Sequence, residues 1–193
     1  MVMLAMRRET MRMCLALACL GSFLGTACKR AQNTHDLRKA VACADGDRQA
    51  CRDALDVNAS RCQNANGHAC ILQGLELESG RVVPKDEKQA TELFERACAL
   101  ANADGCWYAS TRYSYGRGVA RDEARAARFA EKGCDGGSVN GCCDLATIYE
   151  YGHGRPKDLK LARDTYRRAC RLSKRADGSG CAQAKRLEDT GGR

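Results

Sequence analysis

The chain has 193 residues, a formal net charge of +8, and 14 cysteines. Its apolar inventory is mostly Ala, Leu and Cys, with 3 Phe, 1 Trp and 6 Tyr, which excludes a thick aromatic core. This much cysteine is unlike a cytosolic enzyme and close to a disulfide scaffold, so the compartment decides its chemistry. The charge does not point to nucleic acid: bases alternate with acids in KDEKQATELFER and RDEARAARFAEK, as on a solvated helix face, and no basic, aromatic-bearing patch appears.

At the N-terminus, Arg7, Arg8 and Arg12 precede a charge-free run from Met13 to Ala27, and residues 1–27 read as a secretory signal. The run is too short for a comfortable membrane span of roughly 20 residues. It ends in LGTAC, which resembles a bacterial lipobox, where a peptidase cuts before a cysteine that already carries a diacylglycerol thioether. Leu24 stands one place further from Cys28 than in the commonest form, and Gly25 takes its place. Ordinary cleavage after Ala27 suits the same small residues. The resemblance implies lipidation of Cys28 and, with Lys29 next, passage to the outer membrane, so that the membrane is touched only through the lipid. Ordinary cleavage implies a periplasmic or secreted protein. Loss of three Arg and Glu9 with the signal lowers the net charge from +8 to +6.

A tether over 28–34 then leads to HDLRKAVAC, 35–43, which reads as one helix. Residues 35–61 form N-terminal helices with a truncated repeat. There the helix of GDRQACRDALDVNAS meets Cys62 almost at once, so the second helix of that unit is missing or reduced to a turn.

From Cys62 a period of 36 governs the chain: Cys62, Cys98, Cys134 and Cys170 fall in one column, and Cys70, Cys106 and Cys142 in another. Three units follow, 62–97, 98–133 and 134–169. Gly80, Gly116 and Gly152 close a first helical stretch, as a left-handed position past a helix end requires. Asp86, Asp122 and Asp158 open a second, where a short acceptor caps free N–H groups. Ala90, Leu93, Phe94 and Ala97 form a narrow apolar stripe along it. Each unit is a helical hairpin that buries its stripe only by stacking on its neighbours, and Ala90, Ala126 and Ala162 mark the close contacts. Residues 170–193, ending in the polar stretch CAQAKRLED, read as a C-terminal capping helix.

YSYGRGVARDEARAARFAEKG and YEYGHGRPKDLKLARDTYRRA resemble the Sel1-like repeat, a relative of the tetratricopeptide repeat. With its paired cysteines the chain is similar to the cysteine-rich Hcp-type group of exported bacterial proteins. The resemblance implies an all-α fold, a right-handed α-solenoid of helix-turn-helix repeats with disulfides inside the scaffold. It covers about residues 43 to 189.

Two cysteines eight apart on a continuous helix are separated by about 12 Å, too far for a disulfide, so pairing needs a turn between them. Asn102, Asp104 and Gly105, Asn66 and Gly67, and Gly136, Gly137, Asn140 and Gly141 supply turn residues. The expected pairs are Cys43–Cys51, Cys62–Cys70, Cys98–Cys106, Cys134–Cys142 and Cys170–Cys181. Cys143 is left as a thiol, in the column of Ile71 and Trp107, where a small packing residue is the plain reading. Exchange between Cys142 and Cys143 stays open, with register favouring Cys142. No CxxC or HxxxH spacing accompanies His35, His68 and His153, so neither metal nor cofactor is expected.

Some Hcp-type proteins are associated with penicillin binding and weak β-lactamase activity, and the resemblance carries that alternative here. No serine has a lysine three positions on, however, and Glu76, Glu78, Asp144 and Glu150 read as solvated acids of a helical repeat. No catalytic residue is assigned. The expected function is binding of a protein, peptide or peptidoglycan-related ligand on the concave face made by the first helices. Arg112, Tyr115 and Tyr151 are its candidates, while Tyr113 and Tyr149 share a column with Leu77 and suit the core.

Overall fold

The structure is a computed structural model that describes residues 47–173 and 179–191. The expected signal, Cys28, the tether, the helix over 35–43 and Cys43 lie outside the described residues. The chain divides into two compact units, Met1–Ala54 and Leu55–Arg193. Of the first, the described part is the start of one helix.

Among the described residues there are eight helices and no strand: α1 (Arg48–Gln63), α2 (Gly67–Ser79), α3 (Glu87–Ala99), α4 (Ala103–Tyr115), α5 (Glu123–Asp135), α6 (Val139–Tyr151), α7 (Leu159–Ser173) and α8 (Ser179–Gly191). The second unit is an α-solenoid of hairpins. α2 packs on α3, α4 on α5 and α6 on α7, and α3, α5 and α7 each pack on the helix that follows. No helix among the described residues is long and apolar enough to cross a membrane.

Start and stop signals recur with the period. Asn66, Asn102 and Ser138 accept the N–H of Ala69, Gly105 and Gly141 and so cap the first helices. Asp86, Asp122 and Asp158 accept those of Gln89, Arg125 and Leu161 at 2.8, 2.8 and 2.9 Å and cap the second ones. The same aspartates donate their own N–H to the carbonyls of Leu77, Tyr113 and Tyr149, tying each second helix back to the first. Gly80, Gly116 and Gly152 end the first helices at φ of 65°, 67° and 82°.

The interior is thin, as the composition demands. Ala90, Ala97, Ala109, Ala126, Ala127, Ala130, Ala146, Ala162 and Ala169 are at most 1 % exposed, and Phe94 is the largest fully buried side chain. Small side chains let the helices approach until backbone atoms nearly touch. A Cβ on Gly105 would stand 2.5 Å from the Ala97 Cβ, and one on Gly141 2.9 Å from the Gly133 carbonyl carbon. These two glycines therefore serve helix contact in the first turn of α4 and α6, whereas the sequence assigns them to the turn itself. The turn is shorter: three residues, centred on Ala65, Ala101 and Gly137 at φ of 64°, 58° and 93°.

One assignment is reversed. α1 is a single helix that carries both Cys51 and Cys62, and the 36-residue register aligns its end with those of α3 and α5. By that register it stands in the place of a second helix, and it runs unbroken because no Gly or Pro between Cys51 and Cys62 interrupts the helical turns.

Candidate functional site

The three short turns from second to first helix are each spanned by a disulfide. Cys62–Cys70, Cys98–Cys106 and Cys134–Cys142 have Cα atoms 4.7, 4.4 and 4.3 Å apart, and Cys170–Cys181 joins α7 to α8 at 4.6 Å. Cys51 is also disulfide-bonded. Its expected partner, Cys43, is outside the described residues. Cys143 is a half-buried thiol packed beside the cluster that contains Cys134, Cys142 and Leu145. These four disulfides thus serve the joints, and the surface chemistry lies on the helices between them.

Arg112 is not a surface residue. It is 4 % exposed, its guanidinium donates two hydrogen bonds to the Glu78 carboxylate at 2.7 Å, and it lies over the Phe94 ring at 5.2 Å. The helix turns this side chain toward the α2–α3 hairpin, where the Glu78 carboxylate of α2 receives it in bidentate fashion and the Phe94 ring of α3 offers an aromatic face. Glu150, read from sequence as solvated, is likewise buried on α6, where Arg186 of α8 donates to it at 2.6 Å and the Tyr166 hydroxyl at 3.2 Å. Tyr113 is buried, donates its hydroxyl to Glu95 and has the Arg125 guanidinium 4.1 Å over its ring. Burial first, and then that carboxylate, push its phenol up to about 12. Tyr149 is half-buried. By contrast Tyr115 and Tyr151 are 72 % and 60 % exposed.

The two ion pairs join α2 to α4 and α6 to α8. Between α4 and α6 the equivalent columns hold Ser114 in the place of Glu78 and Glu150, and Ile148 in that of Arg112. Among the described residues no ion pair joins these two helices, and a cleft of about 460 Å³ opens between them. Trp107, Thr111 and Tyr115 line it from α4, and Asp144 and Thr147 from α6, with His153, Glu123 and Arg121 at one side.

Asp144 is half-buried, and burial pushes its carboxyl up to about 6 while a hydrogen bond from the Trp107 indole N–H works against the rise. The other charges in the cleft answer one another: Arg121 pairs with Glu123, and the His153 imidazole is 3.8 Å from the same carboxylate. Trp107 is held from behind by Tyr108, centroid to centroid 4.5 Å, and Tyr108 stacks on Phe94 at 4.8 Å. The sequence reading missed this pair. A signal was present: Asp144 falls in the column of Leu72 and Tyr108, a charge in an otherwise apolar position, and Trp107 is the chain's single tryptophan.

Compared with known families, residues 67–102, 103–138 and 139–174 each match the Sel1 repeat. Each matched segment opens at the first residue of a first helix, five residues beyond the cysteine that begins the sequence unit, with the same period. No curated protein matches the chain. Among solved structures, it is similar to a Sel1 repeat protein from Oxalobacter formigenes, with a TM-score of 0.65 and 21 % identity, covering 79 % of this chain and 60 % of that one. It is also similar to c5321, a protective antigen of uropathogenic Escherichia coli strains, with a TM-score of 0.58 and 24 % identity over 61 % of this chain and 25 % of that one. For cysteine-rich protein B of Helicobacter pylori the TM-score is 0.57 and the identity 25 %, over 70 % of this chain and 96 % of that one. This chain therefore spans less than two thirds of each of the first two. The matched repeats cover more than half of the sequence, and the chain belongs to the Sel1 repeat family.

Proposed function

We propose that the protein is a non-catalytic interaction scaffold of the cell envelope that binds a peptide segment of a partner protein on the face made by its first helices. The observation that carries this reading is the exposure of Tyr115 and Tyr151, 72 % and 60 %, beside the cleft between α4 and α6. Tyr115 lines the cleft, and Tyr151 stacks on His153 at its side, with centroids 6.0 Å apart. Two tyrosines that the fold does not bury, at a concavity the repeat framework does not require, are what an interface anchor needs. The disulfides support an oxidising compartment, and the signal-like start with LGTAC supports export and a lipid on Cys28.

The reading is tested by placing a photo-crosslinking residue at Tyr115 or Tyr151 in the full chain, in its own envelope. Arg128, exposed on α5, serves as the control position. Discrete adducts from the two tyrosine positions and none from Arg128 are expected. Equal labelling from all three, or none from any, overturns the proposal.

A further inference from the structure

Resting on that reading, we propose that the cleft between α4 and α6 receives one cationic side chain of the partner segment, a lysine ammonium or arginine guanidinium, with Asp144 as its counter-ion and Trp107 as the ring it lies against. The other ionised groups lining the cleft, Arg121 and Glu123, pair with each other, with the His153 imidazole 3.8 Å from the same carboxylate. Asp144 has a hydrogen bond from Trp107, and among the described residues no cation forms an ion pair with it.

The neighbouring interfaces show what is missing. Glu78 with Arg112, and Glu150 with Arg186, each join a carboxylate of one first helix to a guanidinium of the next. Between α4 and α6 the position corresponding to Arg112 is Ile148, so α6 supplies a carboxylate one turn away and neither helix adds a base to the lining of the cleft. A base from outside completes the pattern. An anionic partner group would meet Asp144 at close range, and an apolar one would remove water from it without compensation.

The walls suit the same occupant. The quadrupole of an indole or phenol face attracts a cation placed over it, and the chain already uses this on the cleft's own rim, where the Arg117 guanidinium lies 5.6 Å over the Tyr115 ring. The Trp107 ring, braced by Tyr108, offers the equivalent face inside. Threonines 111 and 147 add hydroxyls that can accept from an ammonium or guanidinium. Burial has already raised the proton affinity of Asp144, so a bound cation relieves a cost that the fold carries.

Because Trp107 is the single tryptophan, its fluorescence reports on the cleft itself. Oxidised full-length protein is titrated with Nα-acetyl-lysine methylamide, with its arginine counterpart, and with the uncharged Nα-acetyl-norleucine methylamide of similar shape. A saturable change with the lysine or arginine probe is expected, with norleucine at least about tenfold weaker. Asp144→Asn, which keeps an oxygen to accept from Trp107, abolishes that preference, whereas Asp144→Glu retains part of it. Equal affinity for norleucine, an unchanged preference in Asp144→Asn, or no saturation with any probe overturns the proposal. Near-ultraviolet circular dichroism of each variant establishes that it is folded before titration. The outcome is separable from the scaffold reading: crosslinks from Tyr115 and Tyr151 that persist without any cation preference dispose of the cation site alone. Absence of those crosslinks disposes of the scaffold whatever the probes do.

Discussion

Replacement of Asp144 by asparagine is expected to stabilise the protein at neutral pH, because the carboxylate is held where water solvates it poorly. The folded-state carboxyl is raised from the ordinary 3.8 to about 6 by burial, against the pull of the Trp107 hydrogen bond. The fold therefore prefers the protonated acid, and ionisation above pH 6 costs stability, at 1.36 kcal/mol for each tenfold in proton affinity. The full rise corresponds to roughly 3 kcal/mol. Asp144 is only half-buried, and solvent at the open side of the cleft reduces the net figure to about 1–2 kcal/mol. Asparagine removes the charge and keeps the acceptor, so its gain should be largest above pH 6 and shrink as pH falls toward 3.8, to roughly a third of its size at pH 4.5. Thermal melts of oxidised wild type and variant, followed at 222 nm (~7.5 and ~4.5 in pH), measure the difference, expected as several degrees at the higher pH. A variant no more stable than wild type at neutral pH, or a gain equally large in acid, would refute the reasoning.

Three other outcomes follow from the joints. Gly118→Ala should destabilise by roughly 2–3 kcal/mol in urea titrations, since Gly118 sits at φ 70° and its Cβ would strike the Glu87 carbonyl, where the Thr91 hydroxyl already donates; a cost below about 0.5 kcal/mol shows that the loop moves freely off α3. Ala101→Gly should gain about 1 kcal/mol by the same assay, because Ala101 holds φ 58° where the next unit uses Gly137; a loss in stability there means that backbone strain does not govern the turn. Replacing both Cys98 and Cys106 by alanine should cost roughly 2–3 kcal/mol, the chain-entropy value for a loop of this size. A change near zero in the urea midpoint would assign the turn's stability to Asn102 and the helix packing instead.

The period, the helix limits and the joints were legible because they rest on local chemistry. An aspartate caps the three or four residues beside it, a glycine permits its own φ, and two cysteines around a three-residue turn meet without help from elsewhere. Gly105 and Gly141 were misread because their reason is a neighbouring helix, a contact invisible in the stretch that contains them. Arg112 and Glu150 were misread for a related cause. A charged residue on a repeat is usually solvated, and nothing local shows that Glu78 waits 34 residues earlier, or Arg186 36 residues later.

By itself, then, the sequence determined that this is a chain of stapled helical hairpins: periodicity and capping are short-range and survive in any arrangement of the units. It also placed Tyr115 and Tyr151 at the surface. Tertiary structure alone decided which charges meet across the first helices and which do not, because side chains one repeat apart become neighbours only when the hairpins stack. The cleft with Asp144 and Trp107 exists for that reason, at the interface where Ser114 and Ile148 stand in place of an ion pair.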